Sequence, residues 1–405
     1  MAEARALAVE RLAPARDTLA ADASRGAIAG AVVLVCHRDE AVWFEAFGLE
    51  DPGEPSRPMR RSTVFRIAAM SRPLVAAAAL SLAQEGQLRL ADPVCEYLPE
   101  FAHVEVGCEE AVKEGGKKEG PRLVRHAPRR AMTVLDLLRH TSGLTYGMFG
   151  DSAVQRLYRE AGVMEPGQSN AEMARKLALL PLQCHPGEQF EYGMSTDLLG
   201  RVLEVVSGHA LGRVIAERIT GPLGMRDTGF RLREGARLAR PRTGPGAPTA
   251  VLFDFDPACP PAWQSGGAGL LSTAADYARF CRMLLAGGTL DGARVLDARS
   301  VDWMLADQLP RGIGFGTSTE GLGINAPLPR LGQGHGLGVG VRTHAGLAPV
   351  PGSIGDFFWG GALGTYFWAD PGERLVAVLM LQENDVAVRG RYRALLRHAV
   401  YGALA

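Results

Sequence analysis

The segment FRIAAMSRP, residues 65–73, lies between an extended stretch and an apolar helical pattern, and the rest of the interpretation starts from it. Residues three positions apart at the start of a helix share one face, so Ala69 and Arg72 are expected to lie side by side. The first helical turn also offers backbone N–H groups and a positive dipole end, which suit an anionic oxygen. The segment therefore predicts a site at the amino end of a helix.

In penicillin-binding proteins and serine β-lactamases, this place holds a serine followed three residues later by a lysine. The segment resembles the FRI-x-S-M-[ST]-K-P run of EstB-like family VIII esterases and class C β-lactamases. The residues FRI before it and Pro73 after it fix the register. The resemblance therefore puts Ala69 at the nucleophile position and Arg72 at the lysine position.

Further motifs follow in the order that the same family has, from about Ala29 to Gln382. Each motif is weak alone, but their order and spacing together are specific. The motifs are HTSGL at residues 140–144 with Thr145-Tyr146-Gly147 after it, FEYGMSTD at residues 190–197, Ser265-Gly266-Gly267 with Ser272-Thr273, and Trp359-Gly360-Gly361.

Strand patterns at both ends of the chain and helical patterns between them agree with this resemblance. Residues 29–36 and 41–47 read as strands, as do residues 338–343, 356–368 and 375–382. We expect an α/β (α+β) fold of the serine β-lactamase and penicillin-binding-protein type, with one antiparallel sheet built from both termini and flanked by helices. Residues 1–70 and 286–405 would form the sheet domain. Residues 71–285 would form an inserted, mainly helical domain, with the site in a cleft between the two.

The composition excludes several classes of function. The 405 residues carry 44 basic and 44 acidic side chains, so the chain is not expected to bind nucleic acid or a membrane. The six cysteines show no metal-ligand spacing, and the glycine-rich stretch of residues 311–340 contains no phosphate-binding motif, so we expect no metal and no cofactor. Residues from about 4 to 25 are expected to form an amphipathic helix. The first 22 residues do not resemble a signal peptide, which favours a cytoplasmic protein. The basic run of residues 117–130 is expected to be a solvated loop.

The resemblance also assigns roles to individual positions. Tyr192 stands at the family's proton-transfer tyrosine, and the backbone N–H groups of Ala69 and Ala362 stand at the oxyanion hole. Met194 replaces the asparagine of class C β-lactamases, which argues against specialisation for β-lactams. The residues expected to bind the small-molecule substrate are Trp359, Gly360, Gly361, Tyr146, Phe149, Met194 and His335.

The two replacements remove the chemistry that the family uses. Alanine has no nucleophile, and arginine, with a pKa above roughly 12, cannot act as a general base. Ser71 is two residues from position 69 and would point about 200° away on a helix, so it is expected to be structural.

Three hypotheses remain open. The chain is a repurposed, non-hydrolytic enzyme in which the charge of Arg72 favours the phenolate of Tyr192 or binds a substrate carboxylate or enolate. Alternatively, it is an ester or amide hydrolase or an acyltransferase whose serine was replaced, which a gene with a serine codon at position 69 would support. The third hypothesis is a binding protein that keeps the pocket without chemistry. We favour the first, because the tyrosine and the pocket residues are retained.

Two side chains near these motifs have more than one interpretation. Arg72 could pair with a nearby carboxylate or face a ligand. His140 is expected to orient a helix end, and the other histidines show no metal spacing.

Overall fold

The structure, a computed structural model, describes residues 6–114, 117–242 and 256–404. Its strands are β1 (Gly30–His37), β2 (Glu40–Gly48), β3 (Phe65–Arg66), β4 (Val106–Glu114), β5 (Lys117–His126), β6 (Gln189–Phe190), β7 (Leu271–Ser272), β8 (Thr289–Leu290), β9 (Ala293–Arg294), β10 (Gly314–Phe315), β11 (Gln333–His335), β12 (Gly340–Arg342), β13 (Phe357–Gly360), β14 (Tyr366–Asp370) and β15 (Leu375–Leu381). The strands outside the one large sheet have two residues each, except β4 and β5, which form a longer hairpin.

The large sheet has seven strands in the order β11-β12-β13-β14-β15-β1-β2, and the neighbouring strands are antiparallel. Strand β1 pairs with β15, from the end of the chain, on one side and with β2 on the other. Val33 is opposite Leu379 of β15, and Leu34 is opposite Phe44 of β2. Arg38 and Asp39 both have positive φ, which gives the tight turn between β1 and β2. The predicted antiparallel sheet assembled from both ends of the chain is confirmed.

The helices cover both faces of this sheet. They are α1 (Ala13–Ser24), α2 (Ser71–Gln84), α3 (Val134–Leu138), α4 (Ala153–Glu160), α5 (Asn170–Ala178), α6 (Ser195–Ser207), α7 (Leu211–Ile215), α8 (Ala274–Leu285), α9 (Ala298–Met304) and α10 (Val386–Ala403). Every residue of β1 is buried. Val32 and Leu34 belong to the larger core with α2 and α8, whereas Val33 and Val35 belong to a second core with α1 and α10.

Two local predictions are wrong. A helix was expected over residues 4–25, but residues 6–8 are not helical, a 3₁₀ turn covers Val9–Leu12, and α1 starts at Ala13; residues 1–5 lie outside the described part. The basic run of residues 117–130 was expected to be a loop, yet residues 117–126 form β5, paired with β4. Cys108 and Leu123 of this hairpin pack against the larger core, so a few apolar side chains decide its structure despite its charge.

No helix in the described ranges is long and apolar enough to cross a membrane. The division into a sheet domain and an inserted helical domain stays a prediction.

A buried ionic cluster joins the sheet to the last helix. The carboxylate of Asp356, just before β13, accepts hydrogen bonds from Arg342 Nε at 2.9 Å and from Arg397 Nη1 at 2.7 Å. All three side chains are almost completely buried. One carboxylate therefore compensates two buried guanidinium groups from β12 and α10.

Replacement of Asp356 should destabilise the protein strongly. Asp356→Ala leaves two buried cations without their carboxylate, so we expect the free energy of unfolding to fall by about 3–5 kcal/mol in urea denaturation. Asp302→Ala is the matched control, because Asp302 pairs with Arg299 at the surface, and its effect should be under about 1 kcal/mol. Equal effects of the two changes would contradict the role of Asp356.

Candidate active site

Position 69 lies in a 3₁₀ turn, Ala68–Met70, between β3 and α2. Ala68 has a φ of 47°, a left-handed conformation that alanine rarely adopts, and it packs against Leu363. Ser71 donates a hydrogen bond to the Ala68 carbonyl at 2.7 Å and accepts one from the Leu270 N–H at 3.0 Å. Ser71 is therefore a structural residue, as its helical position predicts, and it fixes the turn that carries Ala69.

The guanidinium of Arg72 lies inside the protein, with 1% of the residue exposed. Nη1 contacts His140 Nε2 at 3.0 Å and donates to Thr196 Oγ1 at 3.0 Å, and Nη2 donates to the Tyr146 hydroxyl at 2.6 Å. Among the described residues, Arg72 forms no direct ion pair with a carboxylate. The structure therefore does not contain the expected pairing of Arg72 with a carboxylate, which was one of its two interpretations.

Aromatic rings surround this cation. The Arg72 Cζ atom is 4.4 Å from the centre of the Tyr192 ring, which is the geometry of a cation–π contact. The Tyr192 ring in turn lies 5.9 Å from Trp359, 5.8 Å from Tyr146 and 6.1 Å from Phe149. Tyr192, Tyr146 and Trp359 are buried and Phe149 is partly exposed. These rings form one wall beside Arg72.

Two histidines complete the surroundings of Arg72. His140 and His335 are fully buried, and their ring centres are 5.7 Å apart. Burial lowers the pKa of His140 well below its usual value, and the nearby charges of Arg72 and His335 act in the same direction. Burial, and then Arg72, lower the pKa of His335 to about 3. Both imidazoles are therefore neutral at physiological pH, and Arg72 is the charged member of the group.

A buried carboxyl group lies on the other side of Arg72. Asp197 Oδ1 accepts hydrogen bonds from the Ser265 hydroxyl and from the Gly267 N–H. Burial raises the pKa of Asp197, and the charge of Arg72 opposes that shift only in part. A side chain on Gly267 would lie 2.5 Å from Asp197 and 3.3 Å from Arg72 Nη2, so glycine is needed where the two groups approach the SGG motif.

The turn after β13 packs against Ile67 and Ala68, the residues just before position 69. Thr365 donates from its hydroxyl to the Ile67 carbonyl at 3.2 Å, and Gly361 donates its N–H to the Thr365 carbonyl at 2.8 Å. Arg393 of α10 donates to the carbonyls of Gly361 at 2.7 Å and Thr365 at 3.1 Å. A Cβ on Gly361 would lie 2.5 Å from the Ile67 carbonyl oxygen, which explains the glycine. Ala362, in this turn, is exposed.

The structure brings most of the predicted site residues together. Tyr192, Arg72, Tyr146, Phe149, Trp359 and His335 form one contact group, and Gly360, Gly361 and Ala362 lie in the turn tied to the Ala69 segment. Met194 is not part of this group of rings; it is fully buried in the larger core at the start of α6. The chemical roles of these residues stay predictions.

Sequence reasoning missed several neighbours of Arg72. His140 was expected to orient a helix end, yet it contacts the guanidinium directly, with a φ of 59°. Thr196 and Asp197 belong to the motif of residues 190–197, but the sequence predicted no role for them. Their signal was present, because both lie in the same motif as Tyr192, in the first turn of α6. Arg393 carried no comparable signal.

The loop that holds His140 is anchored by Asp136. This buried carboxylate accepts hydrogen bonds from Arg130 at 2.5 Å, from Arg139 at 3.0 Å and from the Thr141 hydroxyl at 2.7 Å, and it closes a capping box with Thr133. Burial alone would raise the pKa of Asp136, but these hydrogen bonds outweigh it and lower the pKa to about 2.

This fold and this site define a class of protein. The arrangement is that of the β-lactamase and penicillin-binding-protein fold. It consists of the sheet built from both termini, helix α2 after residues 65–70, the loop with Tyr192 and the turn after β13. A family model described as Beta-lactamase matches residues 11–401. The chain therefore belongs to the Beta-lactamase family.

Similar proteins agree with this assignment. Protein Rv1367c of Mycobacterium tuberculosis is 37% identical over 381 residues, which cover 88% of this chain and 86% of that protein. Esterase EstB of Burkholderia gladioli is 30% identical over 400 residues, covering 92% and 91% of the two chains. Among solved structures, EstCE1, described as a hydrolase with promiscuous acyltransferase activity, matches with a TM-score of 0.76 and 26% identity over 98% of this chain and all of that one.

The anchor at Asp136 should make stability depend on pH in acid. The folded-state pKa of about 2 is below the usual 3.8, so the stabilisation is present above pH 4 and is lost as the pH falls towards 2. Asp136→Asn should cost about 2 kcal/mol of unfolding free energy at pH 7 and less at pH 2.5, measured by urea denaturation. A constant difference between the two proteins at both pH values would contradict this assignment.

Proposed function

We propose that this protein is an enzyme that acts on a small molecule without an acyl-enzyme intermediate, and that Tyr192 and Arg72 carry its chemistry. The observation behind the proposal is the contact between the Arg72 guanidinium and the face of the Tyr192 ring, 4.4 Å from its centre. Three hydrogen bonds hold the guanidinium in this place. The position that would carry a nucleophile holds the methyl group of Ala69.

The chemistry available to this arrangement is proton transfer with stabilisation of negative charge. A permanent cation in a buried site strongly favours an anion that forms beside it, since the local dielectric constant is low. Tyr192 is the proton-transfer group, and Arg72 stabilises the negative charge that forms on an enolate of the substrate. The backbone N–H groups of Ala69 and Ala362 contribute further donors. Isomerisation, cyclisation and elimination are reactions that need no more than these groups.

A second candidate is ester hydrolysis or acyl transfer, which the names of the relatives favour. EstB is called an esterase, and a protein of Penicillium rubens, 28% identical over 316 residues, is called lovastatin esterase. This candidate requires a nucleophile that position 69 does not carry. It also requires a base at position 72, where arginine keeps its proton.

Restoring both side chains should restore ester hydrolysis, whereas restoring one should not. We expect no burst of p-nitrophenol from p-nitrophenyl acetate or butyrate with the unaltered chain or with either single variant, Ala69→Ser or Arg72→Lys. The double variant should give a burst close to the enzyme concentration and turnover at least about 100-fold faster, because the serine and its base act as a unit. Stopped-flow absorbance measures both quantities.

The opposite result has a clear meaning. If the unaltered chain hydrolyses these esters rapidly and Tyr192→Phe abolishes the activity, another nucleophile or an activated water is at work, and the proposal is wrong.

Substitution of Tyr192 also tests the favoured reaction. With a substrate found by screening, Tyr192→Phe should lower kcat by about 100-fold or more, since it removes the proton-transfer hydroxyl while keeping the ring. Full turnover in both Tyr192→Phe and Arg72→Met would contradict it.

A further inference from the structure

None of the direct hydrogen-bond partners of Arg72 is a carboxylate. Its hydrogen-bond partners, His140, Thr196 and Tyr146, are all uncharged: burial lowers the pKa of the histidine and raises the pKa of the Tyr146 phenol. An unpaired ion in the interior costs several kcal/mol, so such groups normally have a counter-ion. A bound anion could therefore serve as the direct counter-ion of Arg72.

Asp197 is the carboxyl group that interacts with Arg72 through space, and it compensates the charge only in part. Its Oδ1 is engaged by Ser265 and by the Gly267 N–H, and it makes no direct ion pair with Arg72 in the described ranges. Burial raises the pKa of Asp197 despite Arg72. The guanidinium therefore has no carboxylate in direct contact with it among the described residues.

Buried polar atoms without partners, most of them hydrogen-bond donors, point in the same direction. Of the five N–H groups of Arg72, three are engaged, and the remaining two belong to Nε and Nη2, the neighbouring nitrogens of one guanidinium edge. Arg72 Nε, Trp359 Nε1, His140 Nδ1 and both ring nitrogens of His335 are buried and have no hydrogen-bond partner in the described structure. Such a cluster of unpartnered buried polar atoms is unusual in a folded protein and indicates that a polar ligand binds here.

We propose that the substrate of this site is a small carboxylic acid, whose carboxylate binds to the free edge of Arg72. This inference rests on the proposed function and names its substrate class. Two adjacent N–H donors on a planar guanidinium match the two oxygens of a carboxylate, which also supplies the missing negative charge. Position 69, three residues before Arg72, carries a methyl group where the family has the longer side chain of serine.

The geometry favours a carboxylate over a phosphate. A phosphate dianion needs more donors than one guanidinium edge offers, and three of the five N–H groups of Arg72 are already engaged. The aromatic wall of Tyr192, Tyr146, Trp359 and Phe149 lies beside the same cation and suits an apolar body attached to the acid.

Paired probes of equal shape test the proposal on the unaltered full-length chain. Benzoate and benzamide differ in charge, as do butyrate and butyramide, and binding is measured by titration calorimetry and by the change in tryptophan fluorescence. We expect each acid to bind at least about 10-fold more tightly than its amide. Arg72→Met should reduce the affinity for the acid to that for the amide, and inorganic phosphate should bind more weakly than benzoate. Equal affinities for acid and amide, or tighter binding of phosphate, would overturn the proposal.

Two further variants control for folding and for charge. Arg299→Met removes an exposed arginine on α9 and should leave benzoate binding unchanged. Asp197→Asn removes the partial counter-charge, so benzoate should bind several-fold more tightly, a gain of function that a misfolded protein cannot give. Weaker binding in Asp197→Asn, with its circular dichroism spectrum unchanged, would contradict the charge argument.

Tyr192→Phe separates this inference from the proposed function. The variant keeps the ring beside Arg72 and loses the hydroxyl, so it should still bind benzoate more tightly than benzamide even though its kcat falls about 100-fold. If the acids bind as expected and Tyr192→Phe keeps full turnover of a carboxylic acid substrate, the chemistry proposed for Tyr192 is wrong and the substrate class stands. If the acids fail to bind, the substrate class is wrong, whatever the variant does.

Discussion

The guanidinium of Arg72 connects the parts of this protein that form the candidate site. It begins on α2, contacts the loop of His140, reaches Tyr146 and α6 through hydrogen bonds, and lies against the ring of Tyr192. Hydrogen bonds from a charged donor contribute about 1.5–3 kcal/mol each, which offsets a large part of the cost of burying the charge. Segments that are far apart in the sequence are thereby held in one arrangement around a single cation.

The fold explains why this charge cannot escape to water. All residues of α2 from Ser71 to Leu82 are buried, because the helix lies in the larger core beneath the sheet. A long cationic side chain at the surface usually extends its charge into solvent, and a helix surrounded by protein on every side does not allow that. The partners of Arg72 must therefore come from the protein or from a ligand. Three are present in the protein, and they are neutral.

The sequence predicts the fold well because its signals are local and ordered. Strands β1, β2 and β15 have apolar runs bounded by turns, and the register of residues 65–73 fixes the start of α2. The hairpin of β4 and β5 was missed because charged residues dominate it and a few apolar contacts decide its structure. Composition reports the average character of a segment, whereas these contacts depend on the tertiary fold.

The site was predictable where a side chain belongs to a motif and much less so elsewhere. Tyr192 and Arg72 were identified from their motifs, but the contact of His140 with Arg72 depends on a left-handed backbone conformation that no pattern indicates. His335 is a single histidine in a glycine-rich stretch, and its place between Trp359 and His140 results from the pairing of β11 with β12. Arg393 acts through backbone carbonyls, which carry no sequence signature.

The replacements at position 69, just before α2, and at position 72, in its first turn, are understood best as one change in the character of the site. With alanine at position 69 there is no electron pair to donate, so a base at position 72 would have no proton to remove. With arginine at position 72 there is no base, so a serine at position 69 would remain protonated. What the surroundings keep is their capacity to attract negative charge: backbone N–H groups at the start of a helix, a buried cation, and neutral histidines with free ring nitrogens. We propose that a site of this composition stabilises an anion that it does not attack, a property common to proton-transfer chemistry and to the binding of a carboxylate.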